Sequence, residues 1–508
     1  MEITCVCWCL LLAGCLQLAT GSRASSESYE NGDSPEVTPT GESTVPSETD
    51  GQEEPPNAAS ADQETDPLFL TPLIQACNFS EAKEKSKVTY FKKYGINATA
   101  HSGYITVNDT TKNHLFFLLI QAEENPNTAP LMLWTQGGPG LSALFGLLLQ
   151  NGPLSFEYGK NFSRRNLTIQ KHVNMIYLDA PVGAGFSFTE NQTGYPKLLP
   201  DVITDIKEFL RQFLELFSEY KERDFYIGGD SYAARYAVGL AQYMLRNQQE
   251  LNLTLQGIIG GVGFLAPIFQ LADSSEFLLQ AAMLDAKGYN EYKKQFIKMR
   301  QLATSKNQTL IGWALHTLFN TIFTSTPKTL FQNLTLYNDH ASPLHTERPL
   351  SMISCVLQVN SSEFKTAIHA GVNSSIQYAN PSLLKTFAYD WLLDITTSIE
   401  CVLNYTRVLF YSGQIDTLFP SPNLQEYFET LNWTHKETYA CAERTIWRPD
   451  KTWYDGAGYM KSAGNFTSMV MIGMSHYAGF DKPVETYHLM KQFIEGNISL
   501  SPPEEYMF

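Results

Sequence analysis

Phe225-Tyr226-Ile227-Gly228-Gly229-Asp230-Ser231-Tyr232-Ala233-Ala234-Arg235 is the stretch that decides the fold. An aromatic and β-branched run gives way to a helical pattern, and a serine sits at the turn. The stretch approximates the G-x-S-x-G nucleophile elbow, with Ala233 in place of the last glycine. Small residues on both sides have a reason: the turn is sharp, the serine backbone is strained, and neighbouring elements must come close. A Gly-Asp-Ser cap on an ordinary helix would look similar locally. The partners of the serine therefore carry the decision.

An elbow serine needs a histidine base and a carboxylate to orient it, in the chain order Ser, Asp, His. Downstream, Val408-Leu409-Phe410-Tyr411-Ser412-Gly413-Gln414-Ile415-Asp416 reads as a buried strand that ends in a loop carboxylate. Met469-Val470-Met471-Ile472-Gly473-Met474-Ser475-His476 reads as another strand, ending in a histidine. Both groups fall just past the C-terminal ends of strands, where open α/β sheets build their sites. In this reading Ser231 is the nucleophile, His476 the base and Asp416 the orienting acid. The backbone N–H of Tyr232, directly after the nucleophile, is one oxyanion donor.

The pattern around these segments is α/β. Buried strands are predicted at 131–135, 174–179, 225–228, 255–259, 408–411 and 468–472, and helices at 201–218, 231–247 and 483–495. Phe209, Phe213 and Phe217 recur every fourth residue, which places them on one helix face and assigns them to core packing. The region from about 265 to 384 is mostly helical by spacing and reads as an insertion in a sheet protein.

Four motifs together resemble the serine carboxypeptidase family of the α/β-hydrolase fold and, within it, the vitellogenic carboxypeptidase-like proteins. They are Trp134-Thr135-Gln136-Gly137-Gly138-Pro139-Gly140, Asp179-Ala180-Pro181-Val182-Gly183-Ala184-Gly185-Phe186-Ser187, the elbow, and the Asp416 and His476 segments. The resemblance covers nearly all of residues 67–500 and is weakest in the insertion. It implies a central mixed sheet with flanking helices and a helical cap. It implies removal of single residues from peptide C-termini, without cofactor or metal. It also makes the Gly138 N–H the second oxyanion donor and assigns Gln136, Gln150 and Asp230 to the substrate carboxylate. Here the chain departs from the family, which has Asn and two Glu at those positions. Two family carboxylates share a proton, whereas Gln150 is permanently neutral, so Asp230 is expected to lose a repulsive neighbour. Tyr477-Ala478-Gly479 after the histidine also departs, altering the wall near the leaving residue.

The same triad on this fold also serves acyltransferases, and a binding protein could keep the fold without turnover. The intact Ser, Asp and His set disfavours the binding protein. Release of C-terminal amino acids separates the first two readings.

The rest of the chain sets the organisation. The apolar run over 6–19, followed by small residues, reads as a signal peptide within 1–21. Between Arg23 and Asp66, twelve acidic residues face a single base, so that segment holds −11 of the net charge of −16. Residues 22–66 are rich in Ser, Thr, Glu and Pro and are expected to be disordered. The remainder divides into 67–264 and 385–508 as the two parts of the core and 265–384 as the cap. With the charge confined to a tail, there is no basic footprint for nucleic acid. The apolar stretch at 258–272 holds Pro267 and is too short to span a membrane. Fifteen Asn-x-Ser/Thr sites (78, 97, 108, 161, 166, 191, 252, 307, 333, 360, 373, 404, 432, 465 and 497) point to N-glycans and a secreted or lysosomal protein. Cys77, Cys355, Cys401 and Cys441 remain after the signal and are expected to form two disulfides, with three connectivities open. Sequence leaves the oligomeric state open.

Overall fold

The computed structural model describes residues 65–305, 307–323 and 327–498. The predicted signal peptide and almost all of the acidic segment lie outside them. The six apolar runs become strands β3 (Leu131–Thr135), β4 (Asn174–Leu178), β5 (Asp224–Asp230), β6 (Thr254–Gly261), β7 (Arg407–Gly413) and β10 (Phe466–Met471). They form the parallel centre of an eleven-stranded mixed sheet. Strands covered on both faces need no polar alternation, which is why they read as unbroken apolar runs. Antiparallel strands extend both edges: β1 (Ala100–Asn108) and β2 (Asn113–Ile120) on one, β8 (Thr445–Trp447) and β9 (Gly458–Ala463) on the other. The sheet order is β1-β2-β4-β3-β5-β6-β7-β10-β9-β8, with the short strand Phe188–Thr189 pairing β2 from the side. This is an α/β-hydrolase fold.

Each face of the sheet has its own core. Along β2, Leu115, Phe117 and Leu119 enter one core, and Phe116, Leu118 and Ile120 enter the other, as the two-residue pleat requires. Helix α1 (Leu199–Leu216) covers the first face, and Phe209 and Phe213 pack on Phe117 at ring-centroid distances of 5.4 and 5.9 Å. Phe217, just past the helix end, continues the row, so the three-phenylalanine stripe is core. Helix α2 (Ala233–Arg246) follows the elbow, and α3 (Pro483–Ile494) closes the chain on the opposite face through Leu489, Met490 and Phe493.

Between β6 and β7 the described residues contribute helices and no strand to the sheet, among them Ala286–Ala303, Gln308–Leu318 and Leu350–Val359. The apolar stretch at 258–272 is the end of β6, a loop and the short helix Ile268–Leu271. No helix among the described residues is long and apolar enough to cross a membrane.

The cysteines require a correction. Cys77, Cys355, Cys401 and Cys441 are all free, not joined in two disulfides. Cys355 is sealed in a core on helix Leu350–Val359, where burial pushes its thiol up to about 12. A thiol so protonated and enclosed is a poor partner for exchange. The other three occupy separate elements: the turn after helix Thr71–Gln75, helix Thr396–Tyr405 and the end of helix Lys436–Cys441.

Candidate active site

Ser231 follows β5 directly and has φ 59°, a left-handed conformation that costs a non-glycine residue about 1–3 kcal/mol. The surroundings hold it there. Its N–H donates to the Gly261 carbonyl at 2.7 Å, and its carbonyl accepts from Phe264 N–H at 3.0 Å. The elbow is therefore pinned to the end of the adjacent β6. Behind it, the Tyr232 hydroxyl donates to the buried Asp390 at 2.5 Å, and Arg235 donates to the carbonyls of Asp390 and Leu393.

Asp416 and His476 follow β7 and β10, so all three side chains stand at the same edge of the parallel sheet. His476 Nε2 lies 3.0 Å from Ser231 Oγ, and Nδ1 lies 2.8 Å from Asp416 Oδ2. The other Asp416 oxygen accepts from the N–H groups of Leu418 and Phe419, both at 2.8 Å. Asp416 is fully buried, and Phe419 packs edge-on against the imidazole. The loops bearing Asp416 and His476 meet at Gly413, where a Cβ would stand 2.4 Å from the Met474 carbonyl oxygen. Only glycine allows that approach. The helical insertion completes the corner: the Ala341 carbonyl accepts from His476 N–H, and the His340 carbonyl accepts from the Thr417 hydroxyl. Burial and the neighbouring positive charges push the His340 imidazole down to about 3, so it stays neutral.

The Gly137–Gly140 loop follows β3, beside the elbow. A Cβ on Gly137 would lie 2.8 Å from Tyr232 N and 2.7 Å from Ser231 Cβ, so a side chain there would fill the space in front of the serine. Gly138 has φ 117° and precedes a cis proline. Asp179 anchors this loop. It accepts from Ser142 Oγ at 2.7 Å, Ala143 N–H at 2.8 Å and Phe186 N–H at 2.7 Å. Burial pushes its carboxyl up to about 7 against those three donors.

A cavity of about 970 Å³ opens over Ser231. Gln136, Gln150 and Asp230 all line it, together with Gly138, Tyr232 and His476. Gln136 Oε1 accepts from the Trp134 indole N–H at 3.3 Å. Gln150 Nε2 reaches the Tyr477 carbonyl at 3.5 Å. Asp230 Oδ1 accepts from the Tyr411 hydroxyl at 2.7 Å. Asp230 Oδ2 and Gln150 Oε1 are buried without a partner. Among the described residues no second carboxylate acts on Asp230, yet burial pushes it up to about 6, against the lowering effects of Tyr411, His476 and Gln150. The relief expected from the neutral Gln150 is thus offset by desolvation.

Sequence reasoning did not find Tyr411, Asp390, Arg235 or Arg348, which also lines the cavity. Tyr411 lies within the quoted strand before Asp416, and its inward position two residues before the strand end was the available signal. Arg348 sits in the insertion, where no motif marks it.

Residues 91–496 match the family described as serine carboxypeptidase. The chain is 31% identical over 433 residues to the Homo sapiens protein named "Probable serine carboxypeptidase CPVL", covering 85% of this chain and 90% of that one. It is 31% identical to the venom serine carboxypeptidase of Apis mellifera (84% and 90% covered) and 27% identical to the vitellogenic carboxypeptidase of Aedes aegypti (85% and 90% covered). In fold it is similar to the crystal structure of a prohormone-processing carboxypeptidase of Saccharomyces cerevisiae, with a TM-score of 0.67 at 16% identity, covering 83% of this chain and 98% of that one. Family match, relatives and fold agree with the motifs and the geometry around Ser231, and the chain belongs to the serine carboxypeptidase family of hydrolases.

Proposed function

We propose that the protein is an active serine carboxypeptidase that releases C-terminal residues through an acyl-enzyme formed on Ser231. The unbroken hydrogen-bonded chain from Ser231 Oγ through His476 to Asp416 carries this reading. Ser231 Oγ attacks the scissile carbonyl, and His476 Nε2 takes its proton. His476 then gives that proton to the leaving amine, and water entering the vacated position releases the acyl group by the reverse sequence. Asp416 holds Nδ1–H, which keeps Nε2 free to act as base. The N–H groups of Tyr232 and Gly138 receive the developing oxyanion. Neither N–H donates a hydrogen bond within the described residues. The free carboxylate of the substrate is read by Gln136, Gln150 and a protonated Asp230, whose raised pKa keeps a donor available at acid pH.

A secretory or lysosomal setting is part of the proposal. Of the fifteen Asn-x-Ser/Thr asparagines, thirteen are exposed, and only Asn360 and Asn404 are half-buried. Random occurrence would leave more of them inside. Peptide C-termini are the partners this site takes.

The test is labelling with a fluorophosphonate probe, followed by product analysis on an N-blocked peptide. Labelling at Ser231 with release of the free C-terminal amino acid is expected. An unlabelled serine would reject the nucleophile, and acyl transfer to an added alcohol without hydrolysis would replace the peptidase by a transferase.

A further inference from the structure

Besides two histidines, Arg348 is the one cationic side chain among the described residues that line the cavity. The hydrolysis just described makes no use of it. Its position follows from Tyr477, the residue directly after His476. At its backbone end, Tyr477 accepts from the Gln150 amide. At its far end, the hydroxyl donates to both oxygens of Asp339, each at 2.8 Å. The side chain thus runs from the carboxylate-reading corner out to the insertion. Arg348 stands at that outer end, where its guanidinium interacts with the Tyr477 hydroxyl and the Asp339 carboxyl.

Asp339 has its own donors. It is fully buried and already accepts from Tyr477 and from the Ala341 N–H at 3.0 Å. It does not line the cavity, whereas Arg348 is only half-buried and does. Leu149, Met352 and Phe480 give the same cavity apolar lining. A guanidinium at the end of an apolar wall selects a carboxylate, which it can meet with two parallel N–H bonds. The α-carboxylate of a substrate is one carbon from the scissile nitrogen and must lie near Gln136, Gln150 and Asp230. Arg348 meets the Tyr477 hydroxyl, at the other end of that residue from the Gln150 contact.

We propose that Arg348 is a specificity-determining residue that reads the side-chain carboxylate of the C-terminal residue, so that peptides ending in Glu or Asp are preferred substrates. This rests on the carboxypeptidase reading above. The experiment uses the full chain and N-blocked dipeptides that share a penultimate Phe and end in Glu, Gln, Leu or Lys. The wild-type protein is expected to favour the Glu ending over the isosteric Gln ending by about tenfold or more in kcat/KM, the effect of one charge-assisted contact. Arg348→Gln should lower the Glu-ending peptide at least tenfold more than the Leu-ending one, and Arg348→Glu should shift preference toward the Lys ending. A wild-type Glu/Gln ratio near one overturns the proposal without needing any variant. An equal loss on all endings in Arg348→Gln also overturns it, because Arg348 would then read the α-carboxylate. Cleavage of none of the peptides by the wild-type protein would instead remove the peptidase reading, and this one with it.

Discussion

In the proposed reaction, Asp230 gives the site a pH dependence. It is buried beside Ser231, with Tyr411 donating to one oxygen at 2.7 Å. Raised to about 6, it is protonated at acid pH and can donate to a substrate carboxylate. As pH rises through about 6 it becomes an anion facing an anion, so peptide binding weakens on the alkaline side. A small ester without a C-terminal carboxylate does not depend on this proton. Gln150→Glu would add a second carboxyl beside Asp230 and raise the pair further, because two neighbouring carboxyls resist double ionisation. Its peptide kcat/KM should fall more steeply toward neutral pH than that of the wild-type protein, by up to about tenfold per pH unit for one added ionisation. The ester profiles of the two proteins should coincide. Superimposable peptide profiles would show that Gln150 does not take part in reading the carboxylate.

Among the elements, the loop after β3 depends on a single side chain. Asp179 gathers three donors from two loops, and a Cβ at Gly185 would fall within 1.9 Å of its Oδ2, so the site admits no rearrangement. Asp179→Ala would leave a buried hydroxyl and two buried amides unpaired, costing about 3 kcal/mol or more. The expected result is a lower Tm together with a lower kcat, since Gly138 lies on the loop that loosens. Unchanged values of both would show that the loop is held by other contacts.

The same scale explains what the sequence made legible. The six central strands lie between two cores, and their apolar runs match the observed strands to within a few residues. Strand β1 went unread because His101 and Ser102 interrupt the pattern, and β2 went unread although Leu115–Ile120 is an unbroken apolar run like those of the central strands. His101 and Ser102 are buried and partnered: Ser102 donates to the Ile368 carbonyl at 2.7 Å, and His101 Nδ1 pairs with Ser86 Oγ at 2.9 Å. The Ser102 contact spans 266 positions and leaves no local trace. The site divides in the same way. Ser231, Asp416 and His476 each follow a strand and carry a motif, whereas Arg348 comes from the helical insertion and Asp390 from the helices just after it.

For the whole molecule, charge and glycan sites give separate tests. Most of the net charge of −16 belongs to the acidic N-terminal segment. The body begins where Thr65 accepts from the Val372 N–H. A chain lacking residues 22–64 should express and melt at the same temperature, and a large fall in Tm would show that the segment packs on the body. Among the glycan sites, Asn404 Nδ2 donates to the Glu400 carbonyl at 2.9 Å, and Asn360 Oδ1 accepts from the Ile376 N–H at 3.0 Å. Site-resolved mass spectrometry of the protein expressed through a eukaryotic secretory pathway should find these two unoccupied and most exposed sites occupied. Glycan at Asn404 would contradict the local packing.

The central claim is that Ser231, His476 and Asp416 act together on peptide C-termini. The most direct measurement compares kcat/KM for release of the C-terminal residue by the wild-type protein, Ser231→Ala and Asp416→Asn, with Tm recorded for each. Both variants should keep the wild-type Tm to within a few degrees. Ser231→Ala should lose several orders of magnitude, leaving only the rate supplied by binding and the oxyanion donors. Asp416→Asn should lose about 10⁴ through the wrong histidine tautomer. Retained turnover in folded Ser231→Ala would contradict the account.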